Sequence, residues 1–150
     1  MAVRKESVLA QLSTLGIHYI TVKFAYTILY VPDVGRSLDF YESAFGLKRR
    51  SLHESGMYGE LETGSTTLSF AAEPLAQSNI PGGFQPASLT RQPAAYEVGF
   101  TTSDVPAAYE RALAAGALAV AAPKPKPWGQ VVAYVRDLDG HLVELCTPMA

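Results

Sequence analysis

Apolar positions along this chain alternate, then recur at helical spacing, then alternate again, and the whole cycle runs twice. YTILYVPDVGRSLDFYESAFGL (residues 26–47) and YEVGFTTSDVPAAYERALAAGAL (96–118) each open on a β-rich run and reach an Asp-Val pair, Asp33-Val34 or Asp104-Val105. Each then continues as an amphipathic helix that stops at a glycine, Gly46 or Gly116. Leu38, Tyr41 and Phe45 mark the apolar face of the first helix, and Val105, Ala108 and Ala112 that of the second. The aspartates stand where a side-chain oxygen can accept from the orphan N–H groups of a first helical turn. The glycines suit the left-handed position just past the last one. Three strand-like runs follow each helix: 47–54, 57–63 and 66–72, then 118–122, 130–136 and 141–147. Ser55-Gly56, Thr63-Gly64 and Asp139-Gly140 punctuate them as turns.

This pattern predicts an α+β fold built from two tandem βαβββ modules, 23–72 and 95–148, within a single domain, 23–150. One helix covers one face of each four-stranded sheet. The uncovered faces need a partner, and set against each other they would form a trough-like half-barrel of mixed sheet. Residues 73–94 between the modules are rich in Pro, Gly, Ser and Gln and show no period, so they read as a long loop that spans the modules and serves function. Residues 1–22 belong to neither repeat; Arg4 to Leu15 would form a short helix packed on the domain or on a partner chain, or remain a tail.

Composition narrows the setting. Apolar residues make up 48% of the chain, enough to build a core without staples. A net charge of −2 argues against partners that need a broad basic face, such as nucleic acid or an anionic membrane surface. The one basic cluster, Lys48-Arg49-Arg50, reads as a complement to a helix C-terminus. Cys146 is the only cysteine, which excludes an internal disulfide and suits a reducing, cytoplasmic compartment. No apolar run approaches the roughly 18–20 residues a membrane span needs.

One residue breaks the pattern. LVELC (142–146) reads as a buried strand, yet Glu144 sits at its centre. A carboxylate in such a place is normally paired, protonated or bound to a metal, because burying it alone is costly. The preceding hairpin decides what faces it: an even-residue loop puts Ala133 opposite and leaves open space, whereas an odd one puts Tyr134 and its hydroxyl there.

The duplicated plan, together with ILYVPDVGRSLDFYESAFGL and PWGQVVAYVRDLDGHLVELCTP, resembles the vicinal-oxygen-chelate superfamily over residues 24–148. That superfamily includes glyoxalase I, bleomycin-resistance proteins and extradiol dioxygenases. The resemblance implies one metal ligand from the first strand and one from the last strand of each module; carried over, these positions fall on Tyr26, Ser69, Glu97 and Glu144. The family's usual first-strand histidine or glutamine is missing at both places. Two carboxylates with water suit Mg or Mn, and the resemblance also brings in Ni, Fe and Zn, although catalytic Zn or Fe normally draws on imidazole. Without a metal, Glu97 and Glu144 could share a proton, one of them raised in pKa to act as general acid or base. They could instead bind a polar ligand directly, or pair structurally with Arg136, Arg91 or a tyrosine.

Other candidates surround this pair. Tyr26 and Tyr30 alternate with Ile28 on one face of the first strand, a wall suited to an organic ligand or to the core. His53 is the only histidine in a strand-like run of the core, a ligand-binding candidate or a spacer. Glu60 and Glu62 share a face with Tyr58 and read as solvated. Trp128 ends the stiff PKPKPWGQ loop and would cap the trough or fill a dimer interface. Cys146 has no histidine beside it to make it a nucleophile. Three functions follow: a homodimeric protein that binds a small organic molecule between its modules without the full metal set, a divalent-metal lyase or dioxygenase using Glu97 and Glu144, or a non-catalytic dimeric relative. The missing histidines favour the first.

Overall fold

The structure, a computed structural model, describes residues 2–16 and 22–150. Its elements are α1 (Ala2–Thr14), β1 (Tyr26–Val31), α2 (Val34–Phe45), β2 (Lys48–Leu52), β3 (Tyr58–Glu62), β4 (Thr67–Ala72), α3 (Glu73–Asn79), β5 (Val98–Thr101), α4 (Val105–Ala114), β6 (Leu118–Pro125), β7 (Val131–Arg136) and β8 (Leu142–Cys146). The strands form two four-stranded mixed sheets, ordered β1-β4-β3-β2 and β5-β8-β7-β6. In each, the first strand runs parallel to the last and the remaining pairs are antiparallel. This is the tandem α+β plan that the two rounds of periodicity predict.

Local chemistry fixes the helices. Asp33 caps α2 by accepting from the Arg36 N–H at 3.0 Å, and Gly46 ends it at φ 69°, its N–H donating to the Glu42 carbonyl. Asp104 caps α4 in the same way through the Ala107 N–H at 3.1 Å. The face that α2 buries is wider than the sequence pattern suggests, since Val34, Ser37, Phe40 and Ala44 join Leu38 and Tyr41. In α4, Tyr109 is buried beside Val105 and Ala112. Gly59 of β3 lets α2 approach closely, because a Cβ there would stand 2.7 Å from Leu38 Cδ1 and 3.0 Å from Val34 Cγ1.

The modules join through their helices. α2 packs on α4, and one apolar core runs through both modules. Tyr41 is the pivot: its ring lies 4.9 Å from Phe70 of the first sheet and 6.4 Å from Phe100 of the second. Its hydroxyl donates to Asp137 Oδ2 at 2.7 Å inside the protein. Burial first, and the Asp137 charge next, push this phenol well above its usual pKa. Asp137 Oδ1 accepts from the N–H groups of Asp139, Gly140 and His141 at 2.9–3.0 Å, which builds the turn between β7 and β8. From the other side, Arg111 of α4 donates to the Ser43 carbonyl at 2.9 Å.

Two expectations change and an open one is settled. The segment between the modules is not loop throughout, for its start is α3, with Pro74 at a first-turn position where a missing N–H costs nothing. Lys48-Arg49-Arg50 lies in β2 rather than serving a helix end. There Arg49 bonds Glu42 of α2 and Arg50 bonds Glu62 of β3, each at 2.9 Å. At the N-terminus a helix does form, α1, without extensive contact to the rest among the described residues. Residues 17–21 of the expected extension lie outside the described residues. Among the described residues no helix is long and apolar enough to cross a membrane.

Candidate functional site

Strand register places the acidic pair. Gly99 of β5 lies beside Glu144 of β8, and Tyr134 of β7 lies beside Glu144 on the other flank. Side chains two apart share a sheet face. Glu97, Gly99, Glu144 and Tyr134 therefore occupy the face that α4 leaves uncovered, with Arg136 and Leu142 at one end and Cys146 at the other. Nothing lies within 4 Å of where a Gly99 Cβ would stand, so the space beside Glu144 is open.

The two carboxyl groups meet. A hydrogen bond that protonated Glu97 donates to Glu144, followed by partial burial and the like charge of Glu144, raises the Glu97 pKa from 4.5 to about 7. Two carboxylates in contact cannot both ionise cheaply, so the pair holds one proton up to near-neutral pH. Neither forms an ion pair with Arg136 or Arg91. The β7–β8 loop, residues 137–141, has an odd length and sets Tyr134 opposite Glu144. The Tyr134 phenol is raised by burial and then by the Glu144 and Glu97 charges, a neighbour of the pair rather than the partner that neutralises it. Burial, then Glu144, raises the Cys146 thiol as well, which keeps it protonated and unreactive.

The first sheet carries a second polar face. Tyr26, Ile28 and Tyr30 lie in register with Thr67, Ser69 and Ala71 of β4, and Glu60 flanks Ser69 from β3. Tyr26 and Ile28 are 52% and 42% exposed, open to a ligand or a partner chain. Ser69 is fully buried, and its hydroxyl is the one buried side-chain polar atom among the described residues without a hydrogen bond. The Tyr58 phenol lies close enough to be influenced by that hydroxyl but donates its own proton to Glu60 at 3.0 Å.

Between the modules lies a cavity of about 770 Å³, walled by Ile28 and Tyr30 of the first module, residues 84–88 and 91–94 of the connecting segment, and Tyr96, Arg136, His141 and Leu142 of the second. Phe84 packs against Tyr30, the ring centroids 4.8 Å apart and the planes tilted by 56°. Arg136, 6% exposed, pins the segment down by donating to the Arg91 and Ser88 carbonyls at 2.7 Å and to the Gly140 carbonyl at 2.9 Å. Gly140 is required beneath this clamp, because φ is 106° and a Cβ would stand 2.8 Å from the guanidinium. His141 bridges the modules, with Nε2 3.1 Å from the Tyr30 carbonyl and Nδ1 3.0 Å from the Tyr96 hydroxyl. A carbonyl can only accept, so Nε2 carries the proton and, in neutral His141, Nδ1 accepts from Tyr96. The acidic pair lies outside this wall, although Glu144 shares a sheet face with Leu142, two residues away on β8, which lines it.

Sequence reasoning did not find Phe84, Tyr96, Arg136 and His141 as cavity residues. The one local signal was a long Pro- and Gly-rich segment ending beside the second module. His53, by contrast, lies outside the strands in the β2–β3 turn, exposed, where Nδ1 accepts from the Ser55 N–H at 3.1 Å and lies 2.7 Å from its hydroxyl. Trp128 is 63% exposed on the β6–β7 loop, donating to Gln130 Oε1 at 2.8 Å. Neither belongs to the cavity wall.

The carried-over positions offer two carboxylates and no imidazole, short of a four-ligand protein site. Glu97 and Glu144 come together, but Tyr26 and Ser69 stand on the other sheet and offer only a phenol and a hydroxyl. Among the described residues no group of three or more His, Cys, Asp or Glu side chains converges.

Residues 17–145 match a family profile described as Glyoxalase/Bleomycin resistance protein/Dioxygenase superfamily. A glyoxalase-related enzyme from Fulvimarina pelagi superimposes with a TM-score of 0.73 at 21% identity, over 85% of this chain and 89% of that one. A protein of unknown function from Agrobacterium tumefaciens str. C58 gives 0.68 at 26%, over 87% and 97%. TioX from Micromonospora sp. ML1 gives 0.59 at 26%, over 84% and 98%. Comparison with curated protein sequences found no match.

Proposed function

The chain belongs to the Glyoxalase/Bleomycin resistance protein/Dioxygenase superfamily, and we propose that it binds a small organic molecule in the cavity between its modules. The observation that carries this reading is the cavity itself. Its volume of about 770 Å³ falls within the range of small-molecule sites, and its wall combines aromatic and aliphatic surface with a few converging polar groups. Ile28, Tyr30 and Phe84 offer apolar contact, while Tyr96, His141 and Arg136 fix orientation. The reading needs no metal.

The proton shared by Glu97 and Glu144 supports a second step on the bound molecule. A carboxyl that changes protonation near pH 7 can donate to or take a proton from a carbonyl or hydroxyl of the ligand. The Tyr26 and Ile28 face, exposed in the single chain, supports a homodimer in which a second copy covers that surface. The buried free Cys146 agrees with a reducing, cytoplasmic setting.

Thermal-shift screening against a panel of aromatic, polyketide-like and antibiotic compounds tests the binding reading. A compound that raises Tm by several degrees, with the gain abolished in Phe84→Ala, is the expected result. Hits indifferent to Phe84→Ala would move the site elsewhere, and a panel without hits would count against small-molecule binding. Turnover of a hit, lost in Glu144→Gln while binding persists, tests the proton-transfer step.

A further inference from the structure

We propose that the cavity between the modules selects an organic anion, an apolar body carrying one carboxylate, sulfonate or phosphate, with Arg136 and Arg91 receiving its charge. This rests on the binding reading above and names the class of ligand. The wall of the cavity contains two arginines and no carboxylate. Arg136 is 94% removed from solvent, judged by its 6% exposure, yet no ion pair neutralises it among the described residues. A buried guanidinium is ordinarily paired, because its desolvation is not fully offset by neutral acceptors.

The carboxylates that could serve are already engaged. Asp137, next in the chain, spends Oδ1 on three backbone N–H groups and Oδ2 on the Tyr41 hydroxyl. Glu97 and Glu144 hold one another. Arg136 instead donates to three carbonyls, those of Gly140, Arg91 and Ser88. Guanidinium has five N–H donors in a fork, so two remain. Arg91 adds a second cation at the same wall, held by a single bond to the Pro86 carbonyl at 2.6 Å. An anion entering here completes a charge pairing that the chain leaves open, while Tyr30 and Phe84 cover its apolar body. The acidic pair does not stand against this anion, because neither Glu97 nor Glu144 lines the cavity.

A matched pair of fluorescent probes tests the proposal on the whole protein: anilinonaphthalene sulfonate, an anion, and phenylnaphthylamine, its neutral counterpart. The expected result is binding of both, with the anion favoured by about tenfold or more, as one charge-assisted contact gives. Phe84→Ala should weaken both probes, which places them in the cavity. Arg91→Gln, which spares the Arg136 clamp, should weaken the anion severalfold and leave the neutral probe unchanged. Equal affinity for the two probes, or an Arg91→Gln variant that binds the anion as tightly as the parent, would overturn the charge selection and leave small-molecule binding standing. Anion binding that ignores Phe84→Ala places the anion site outside the cavity and overturns the proposal. Failure of both probes to bind would overturn the binding reading itself.

Discussion

Replacing Glu144 with glutamine keeps the size and planarity of the side chain but removes the partner with which Glu97 shares its proton. Glu97 should then titrate near its ordinary value of 4.5 instead of about 7, because the largest cause of its shift, the carboxyl–carboxyl hydrogen bond, and the like charge disappear together. The amide introduced by Glu144→Gln can also donate to the Glu97 carboxylate, which favours the ionised form further. Carbon-13 NMR of labelled side-chain carboxyls reads both titrations directly. Stability carries the same information. In the parent the folded state retains a proton that the unfolded state releases from pH 4.5 upward, so stability is greatest below that pH and falls until about pH 7. A displacement of this size corresponds to roughly 3 kcal/mol for dry groups. Glu97 is exposed, and solvent screening reduces the expected loss to about 1 kcal/mol. The glutamine variant should lose this slope and become the more stable of the two above pH 7. Parent Glu97 titrating near 4.5, or a slope that survives in Glu144→Gln, would refute the shared proton and with it the acid–base role.

The other predictions concern the frame and the metal. Tyr41→Phe leaves Asp137 Oδ2 without its buried donor and should cost about 2 kcal/mol in urea unfolding, the range for a hydrogen bond to a charged group; a cost near zero would mean that water replaces the hydroxyl. Gly59→Ala places a methyl against Leu38 and Val34 and should destabilise by about 1–3 kcal/mol through overpacking, whereas Gly99→Ala on the open face of the second sheet should be far milder. Mn²⁺ or Ni²⁺ added to chelator-treated protein should leave Tm unchanged; stoichiometric metal in protein purified without chelator, and its loss in Glu144→Gln, would overturn the non-metal reading.

How much of this was legible in the sequence depended on the range of the interaction. The modules were legible because their causes are local: Asp33 and Asp104 cap the helices that follow them, Gly46 ends the first, and alternation marks the strands. Glu144 stood out for a similar reason, as a carboxylate at the centre of an apolar run. Its partner, Glu97, was named only through the family resemblance; register, which sets Gly99 beside Glu144, is what brings the two within reach. The parity of the β7–β8 loop was readable as a question and not as an answer, since Asp137 decides where the turn begins by collecting three N–H groups. His53 misled because a strand pattern running to residue 54 frays at the turn, and β2 ends at Leu52.

The cavity was least legible because its walls come from positions far apart in the chain. Phe84 meets Tyr30 across 54 residues, and Arg136 reaches back 45 and 48 residues to the Arg91 and Ser88 carbonyls. A segment rich in Pro and Gly announces only that it lacks a repeating structure. What holds it in place is an arginine that sequence reasoning weighed only as a partner for an acid. That arginine gives the connecting segment a structural reason to be long. It must cross from α3 to β5 and still present two carbonyls to one guanidinium, and in doing so it roofs the space between the modules. The same bonds that close the cavity leave its charge unanswered, so the architecture that makes a binding site also sets its preference. If that coupling holds, Arg136→Lys, which keeps the charge but cannot reach three carbonyls in a fork, should loosen the segment and weaken both fluorescent probes together. Intact affinity for both in that variant would separate the roof from the site.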